Sequence, residues 1–504
     1  MSEEGGLIGA ILAHAEARPD DTALLCNGEA ASWRQLRDDV LAIAGALSAD
    51  GDVGRIALLG TADIGLVTAY LAIIAAGGCA VPLPASAHPD ALAGMLADCD
   101  PALVFVQAGY VDLLPAAFIG RVVRLEPGAV GGVSSDFRDS APPLAAPVTA
   151  DPDAPFNIIY SSGTTGRAKG IVHPHRMRYR QAARTLFGLD AASTMLLATP
   201  IYSNTTLMPM LSALFHGARV ALMPKFDAER YLDLAESLGA THTMLVPVQY
   251  QRILAADSFG RRDLSAFKVK QSTGAPLPAA AKRALLDTWP GDFFEVYGLT
   301  EGGCTAILDA ARYPDKAHTV GKPAAGNTIR IIDDNGNDVK QGERGEIIGR
   351  SAMMMSGYFR NEEANRAFYW RDRDGTLYHR TGDIGMFDED GFLVLLDRKK
   401  DMIISGGFNI YASDLEEKLL SHPGVLEAAV IAIPSEKWGE TPLGFVVAKA
   451  GAALDPDALR DWVNERLGRM QKISAVEIRD TLPRNSGGKV LKQELKSPYW
   501  EKAS

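Results

Sequence analysis

The sequence predicts an α/β protein with a large N-terminal domain of parallel α/β sheets plus a barrel-like piece, and a small, mobile α+β C-terminal domain. Three observations carry this expectation. Over residues 1–150 and again over 157–300, short apolar runs alternate with helical patterns, as expected for parallel strands covered by helices. At 504 residues the chain exceeds what one hydrophobic core sustains and should divide. After about Leu396 the regular alternation gives way to a compact helix–strand–strand–helix–strand order. The charged stretch Asp397-Arg398-Lys399-Lys400 reads as an exposed linker between mobile domains, so the expected domains are 1–396 and 397–504.

The elements follow in order. Ser32-Trp33-Arg34-Gln35 sets a hydroxyl and an amide three residues apart, a capping box, and predicts a helix to about Leu47. Ile56 to Leu59 is a short apolar run suited to a buried strand. The most apolar stretch, Ile64 to Ala76, is too short to span a membrane and stops at Gly77-Gly78, so it reads as a buried helix. A strand over Cys79 to Leu83 then completes a βαβ unit. Glu126 to Asp151, rich in Gly, Pro and Ala, reads as a long surface connection. Residues 157–162 suit a buried strand feeding a loop. Strands are expected at 193–198, 218–223, 241–246 and 293–297, with helices at 205–216, 227–238 and 278–289. Residues 328–333 and 345–349 suggest an antiparallel, barrel-like piece, followed by a strand at 392–396. Beyond the linker, a helix (413–420), strands (428–433, 443–449), a helix (457–467) and a strand (475–479) are expected.

Hydrophobic residues are 47% and charged residues 22%, ordinary for a soluble globular enzyme. A net charge of -11 argues against a general nucleic-acid binder, which would carry a basic footprint. Cys26, Cys79, Cys99 and Cys304 have no CxxC spacing, so neither a zinc site nor a disulfide framework is indicated, and a reducing cytoplasm suits them. Met1-Ser2-Glu3-Glu4 lacks the basic start of a signal peptide, and Lys502-Ala503-Ser504 is not a peroxisomal address. The expected location is cytoplasmic, without a membrane span. A homodimer is left open.

Two loops hold the chemistry. One is Tyr160-Ser161-Ser162-Gly163-Thr164-Thr165-Gly166-Arg167-Ala168-Lys169-Gly170; the other is Leu482-Pro483-Arg484-Asn485-Ser486-Gly487-Gly488-Lys489-Val490-Leu491-Lys492. Glycines let backbone N–H groups approach a phosphate, and Ser and Thr add short donors. Each loop alone equally suits a surface turn. The first is not a Walker A loop, which needs Gly before its Lys and Ser or Thr after; Ala168 and Gly170 stand there. Two lysines on two glycine-rich loops suggest one polyanion held from two sides, ATP being the candidate.

Three further segments complete the pattern: Tyr297-Gly298-Leu299-Thr300-Glu301; Tyr378-His379-Arg380-Thr381-Gly382-Asp383; and the run from Asp397 through Lys400, Gly406 and Gly407 to Ile410. Five motifs in this order, spread over nearly the whole chain, resemble the adenylate-forming superfamily of acyl- and aryl-CoA ligases, carrier-protein-loading adenylation domains and firefly-type luciferases. The likeness is greatest to an acyl- or aryl-CoA ligase. It implies ATP, Mg²⁺ and CoA as cofactors and a small carboxylic acid as substrate. The acid would be joined to the α-phosphate with release of pyrophosphate, then passed to a thiol.

The resemblance also implies roles. Ser161, Ser162, Gly163, Thr164, Thr165 and Gly166 would cradle the β- and γ-phosphates with Lys169, Thr300 would donate to the α-phosphate, and Glu301 would hold Mg²⁺, a hard cation suited to carboxylate oxygen. Tyr297 and Gly298 would face adenine from one side, with Gly274-Ala275-Pro276 on the other. Asp383 would accept from the ribose hydroxyls, assisted by Arg398. Lys489 would bridge the attacking carboxylate and the α-phosphate, stabilising charge in the transition state. After adenylation the C-terminal domain would swing about Lys400, a position that must absorb a large dihedral change. Gly406-Gly407 would then line the thiol's tunnel, and Trp438 would lie near the CoA nucleotide. The chain departs from the family at Ala168 (usually Pro), Phe408 (usually Glu) and Ala412 (usually Pro).

For the acid, Pro200-Ile201-Tyr202-Ser203-Asn204-Thr205-Thr206 lacks the aspartate of amino-acid-loading relatives and has Ser203 where many ligases have His. Tyr202, Ser203, Asn204, Met244, Gly298 and Gly303 are the expected lining. The polar set at 203–205 equally suits a helix N-cap. Gly302-Gly303 suggests room for an aryl, phenylpropenoid or medium-chain acyl group. Two rivals stand beside a CoA ligase: an adenylation enzyme loading a carrier protein, and a non-catalytic nucleotide-binding protein.

Overall fold

The computed structural model describes residues 6–49, 51, 53–126, 132–161, 168–405, 408–468, 471–484 and 488–500. The chain forms two compact units: Met1–His318 with Pro323–Thr328 and Arg350–His379, and Thr319–Lys322 with Ile329–Gly349 and Arg380–Ser504.

Two largely parallel sheets build the first unit. One runs, in order, through Gly357–Tyr358, Lys169–Pro174, Pro155–Ser161, Cys79–Leu83, Arg55–Leu59, Leu103–Gln107 and Arg121–Leu125. The other runs through Thr305–Asp309, Asp292–Gly298, Val269–Thr273, His242–Leu245, Thr194–Leu197, Arg219–Leu222, Thr22–Cys26 and Glu29–Ser32. Their central pairings are parallel; antiparallel strands flank them at Pro155–Ser161/Lys169–Pro174 and Asp292–Gly298/Thr305–Asp309.

The early elements match the sequence reading. Helix Trp33–Ser48 opens with a complete capping box: Ser32 Oγ accepts the Gln35 N–H at 3.2 Å and Gln35 Oε1 accepts the Ser32 N–H at 2.8 Å. Helix Ile64–Ala75 is buried along almost its whole length and ends ahead of Gly77, whose φ of +82° glycine adopts without cost. Arg55–Leu59 and Cys79–Leu83 pair in parallel around it, the expected βαβ unit.

Several elements were not foreseen. Strand Val269–Thr273 carries Lys270, Gln271, Ser272 and Thr273, too polar to read as buried. It is buried because Lys270 Nζ donates to the carbonyls of Trp289, Pro290 and Gly291 at 2.8, 2.6 and 2.5 Å. Strands Lys169–Pro174 and Thr305–Asp309 and helices His175–Ala182 and Pro247–Leu254 also went unread. The connection from Glu126 to Asp151 is not wholly superficial, since it holds a short helix, Ser135–Arg138, and buries Val133 and Phe137.

In the second unit, residues 329–332, 345–349, 380–387 and Leu393–Arg398 lie in one sheet. A second sheet orders Phe408–Ile410, Ile403–Ser405, Gly439–Ala448 and Val425–Ser435, with Ala475–Ile478 parallel on Gly439–Ala448. Helices Ala412–Leu420 and Pro456–Glu465 pack Leu415, Leu419, Leu459 and Val463 against Val430 and Val446. Helix Lys492–Trp500 was not anticipated. The stretch 397–400 corrects one expectation: Asp397 and Arg398 end a strand and are half-buried with Lys399, leaving Lys400 exposed. Among the described residues no helix is long and apolar enough to cross a membrane.

Candidate active site

Parallel strands deliver their following loops to one sheet edge, where open α/β sheets bind ligands. Here Thr194–Leu197, His242–Leu245, Val269–Thr273 and Asp292–Gly298 are successive parallel neighbours. Their carboxyl ends lead into 198–204, Val246, Gly274-Ala275-Pro276 and Leu299-Thr300-Glu301. Thr273 stands opposite Val296, so the loop from Gly274 leaves the sheet beside Tyr297 and Gly298. Gly274 and Pro276 are exposed and Tyr297 is buried.

A buried ion pair ties the two together. Glu295 precedes Tyr297 by two residues and so shares its strand face. Its Oε1 accepts the N–H of Leu277, next to Pro276, at 2.9 Å, and it pairs with Lys282, both residues being 2% exposed. Burial raises the Glu295 carboxyl, and Lys282 opposes this. Lys282→Met would strand that carboxyl and should cost about 3–5 kcal/mol of stability. The expected result is a lower Tm together with weaker ATP binding; an unchanged Tm would refute the structural role given to the pair.

Sequence reasoning missed Tyr358, which links two of the foreseen residues. Its hydroxyl donates to Glu301 Oε1 at 2.7 Å, and Lys169 Nζ lies 5.1 Å from the centre of its ring, a cation–π contact. Ser161 pairs opposite Lys169 across the two strands. Thus Ser161, Lys169, Tyr358 and Glu301 form one neighbourhood. Tyr358 sits in a two-residue strand, Gly357–Tyr358, too short to leave a periodic signal. Ser162, Gly163, Thr164, Thr165 and Gly166 lie outside the described residues. As for a metal, no cluster of three His, Cys, Asp or Glu occurs among the described residues, so there is no all-protein cage. A single oriented carboxylate at Glu301 fits Mg²⁺, which is commonly held by one or two carboxylates and substrate phosphates.

On the acid side, Ser203 caps helix Asn204–Phe215, accepting the Thr205 N–H at 3.2 Å. Tyr202 reaches Ser86 on the other sheet's edge, oxygen to oxygen at 3.1 Å. Met244 is fully buried within its strand. The room expected from Gly302-Gly303 is a correction. Gly302, at φ +71°, packs where a Cβ would collide with the Met353 carbonyl, and a Cβ at Gly303 would come within 2.8 Å of His379 Nδ1. These glycines allow a close backbone approach and are already filled around.

In the second unit Asp383 and Arg398 stand opposite each other on paired strands, with Arg398 Nε 2.5 Å from Asp383 Oδ1. Thr381 Oγ1 donates to the Ile347 carbonyl and accepts the Asp383 N–H, fixing the turn of chain that presents the carboxylate. Lys489 lies in the field of the same pair. Burial first, and then the charge of Arg398, push its ammonium down to about 8, against the pull of Asp383. Arg484 supports that loop, donating to the Gly488 carbonyl at 2.6 Å and pairing with Glu427 at 2.6 Å. Lys400 sits in the turn after Arg398. Trp438 is 43% exposed beneath Lys437 Nζ, 4.7 Å from its ring, between Val425–Ser435 and Gly439–Ala448. Gly406 and Gly407 lie outside the described residues.

Residues 11–359 match the AMP-binding enzyme family and residues 414–489 match the AMP-binding enzyme C-terminal domain. The chain belongs to the AMP-binding enzyme family. This AMP-binding enzyme is 32% identical over 491 residues to a feruloyl-CoA synthase of an Amycolatopsis species, covering 96% of this chain and 97% of the relative. It is 30% identical over 502 residues to the fatty acid–[acyl-carrier-protein] ligase ScoC of Streptomyces coeruleorubidus, covering 97% and 95%. Among solved structures, ATP-bound MatB from Rhodopseudomonas palustris superposes with a TM-score of 0.90 at 27% identity, covering 99% of this chain and 100% of that one.

Proposed function

We propose that the protein is an ATP-dependent, AMP-forming carboxylic acid–CoA ligase. The observation that carries this reading is a family match spanning both units, each of which holds a lysine among the residues its motifs single out: Lys169 beside Tyr358 and Glu301, and Lys489 beside Arg398 and Asp383. In the first step a carboxylate oxygen attacks the α-phosphorus and the bond to pyrophosphate breaks. In the second a thiol sulfur attacks the acyl carbon and AMP leaves.

In our assignment Lys169 and the loop before it bind the β- and γ-phosphates, Thr300 donates to the α-phosphate, and Asp383 with Arg398 orients the ribose. Tyr297, Gly298 and Gly274-Ala275-Pro276 sandwich adenine, while Tyr202, Ser203 and Asn204 bound the acid. Lys489 aligns the carboxylate with the phosphorus. Glu301 holds Mg²⁺, which neutralises phosphate charge when bound. Residues 397–504 swing about Lys400 between the steps, bringing Gly406-Gly407 and Trp438 to the thiol.

The acid is proposed to be aryl, phenylpropenoid or medium-chain, a class that includes the acid named for the feruloyl-CoA synthase relative. A carrier-protein acceptor is the second reading, favoured by the likeness to ScoC. We place the protein in the cytoplasm, and a homodimer is the assembly to test by light scattering.

The deciding experiment incubates the protein with ATP, Mg²⁺, CoA and a panel of aryl, phenylpropenoid and short- to medium-chain acids, and reads products by mass spectrometry. A CoA thioester is expected. Acyl adenylate without thioester would move the acceptor to a carrier protein; nucleotide binding without pyrophosphate release from any acid would refute the ligase reading.

A further inference from the structure

Arg178 is a buried cation without a buried anion. Its side chain is 1% exposed, and among the described residues no carboxylate pairs with it. Four neutral acceptors surround it. Nε donates to Asn157 Oδ1 at 2.8 Å, Nη1 to Asn204 Oδ1 at 2.7 Å and Gln181 Oε1 at 3.0 Å, and Nη2 to His173 Nδ1 at 2.9 Å. Burial lowers its ordinary value to about 10, which leaves it charged at neutral pH. Confining a charge this way is unfavourable unless its donors are satisfied, and a well-packed apolar side chain would be the simpler filling.

What the charge does is legible at His173. The ring is fully buried, and Arg178 and Asn157 Nδ2 (3.2 Å) both donate to Nδ1. Nδ1 is therefore the acceptor, so the proton sits on Nε2. Nε2 lies 2.7 Å from the carbonyl of Thr300, which can only accept. Burial and the adjacent guanidinium hold His173 well below the ordinary imidazole value, which keeps it in this neutral tautomer. The strut runs from Asn204, the first residue of helix Asn204–Phe215 on the acid side, through Arg178 and His173 to the backbone of Thr300 on the nucleotide side. Asn157, on the strand that feeds the phosphate loop, braces its middle.

We propose that Arg178 is a positioning residue for the nucleotide. By holding His173 as a donor to the Thr300 carbonyl, it fixes the backbone that presents the Thr300 hydroxyl and the Glu301 carboxylate. This rests on the ligase reading. Without the guanidinium, His173 Nδ1 keeps only the longer Asn157 amide contact at 3.2 Å, so the ring is held less firmly and its hydrogen bond to the Thr300 carbonyl weakens.

The test is calorimetric titration of Mg·ATP into the full-length protein, with no acid present. The fitted stoichiometry reports the competent fraction and Kd reports the geometry. Arg178→Met should weaken Kd by about tenfold, the scale of one well-placed hydrogen bond involving a charged group. His173→Leu should do the same. His173→Gln, whose amide offers one acceptor and one donor, should stay within about threefold of the parent, and Gln181→Ala, which shares Arg178 but leads nowhere near Thr300, within about twofold. A merely structural Arg178 would lower Tm and stoichiometry in Arg178→Met while leaving Kd unchanged, and that outcome overturns the proposal. So does equal weakening in His173→Gln and His173→Leu. Failure of the parent protein to bind Mg·ATP would instead remove the ligase reading and this inference with it.

Discussion

Lys489→Ala should abolish pyrophosphate release while sparing thioester formation from a supplied acyl adenylate. The side chain is assigned to charge that develops only as the carboxylate meets the α-phosphorus, and loss of such a donor costs roughly 10²–10³ in rate. Its surroundings add a pH signature. Burial and Arg398 bring the ammonium down to about 8 from the usual 10.5. The charged form is the working form, so the free-enzyme profile of kcat/KM for adenylation should fall as pH rises through about 8. Lys489→Arg, which does not titrate in that range, should lose this limb whatever its absolute rate. Equal loss of both half-reactions in Lys489→Ala would refute the assignment, and so would an alkaline limb that survives in Lys489→Arg.

Lys400→Pro should separate the two steps in the opposite sense. Thioester formation should fall by an order of magnitude or more, while pyrophosphate release persists. Proline fixes φ near −65°, and a hinge residue must change its dihedrals between states. The turn it occupies is closed by the N–H groups of Asp401 and Met402 on the Arg398 carbonyl, at 2.9 and 3.1 Å, and proline at 400 removes neither donor. The substitution therefore leaves both of these hydrogen bonds of the turn in place while fixing the dihedral that the hinge must change. Single-turnover measurement of each half-reaction decides it. Intact thioester formation would move the hinge elsewhere.

How much of this was legible depended on how local each signal was. The capping box at Ser32 and Gln35 and the apolar runs at 56–59 and 64–76 depend on near neighbours in the chain, and they appear as expected. Val269–Thr273 was unreadable because Lys270 is satisfied by carbonyls about twenty residues away. Helix Lys492–Trp500 carries Pro498 and little apolar periodicity, so its pattern was weak. Gly302-Gly303 suggests room for an acyl group, but the places a Cβ would take are filled by the Met353 carbonyl and His379, which no local pattern reveals.

The sequence by itself determined the family and the α/β class, and it singled out Lys169, Thr300, Glu301, Asp383, Arg398 and Lys489 as candidates, because glycine-rich loops and charged residues in fixed order declare themselves without reference to distant chain. Only the tertiary structure decided what holds those residues in place: Tyr358 against Glu301 and Lys169, Glu295 with Lys282 behind the Gly274 loop, Arg178 and His173 behind Thr300. Each supporting contact joins positions far apart in sequence, and each of these side chains taken alone would suit a core or a surface equally well. Burial turns a tyrosine, a histidine or an arginine into a positioning group by forcing its polar atoms to find particular partners, and burial is a property of the packed chain.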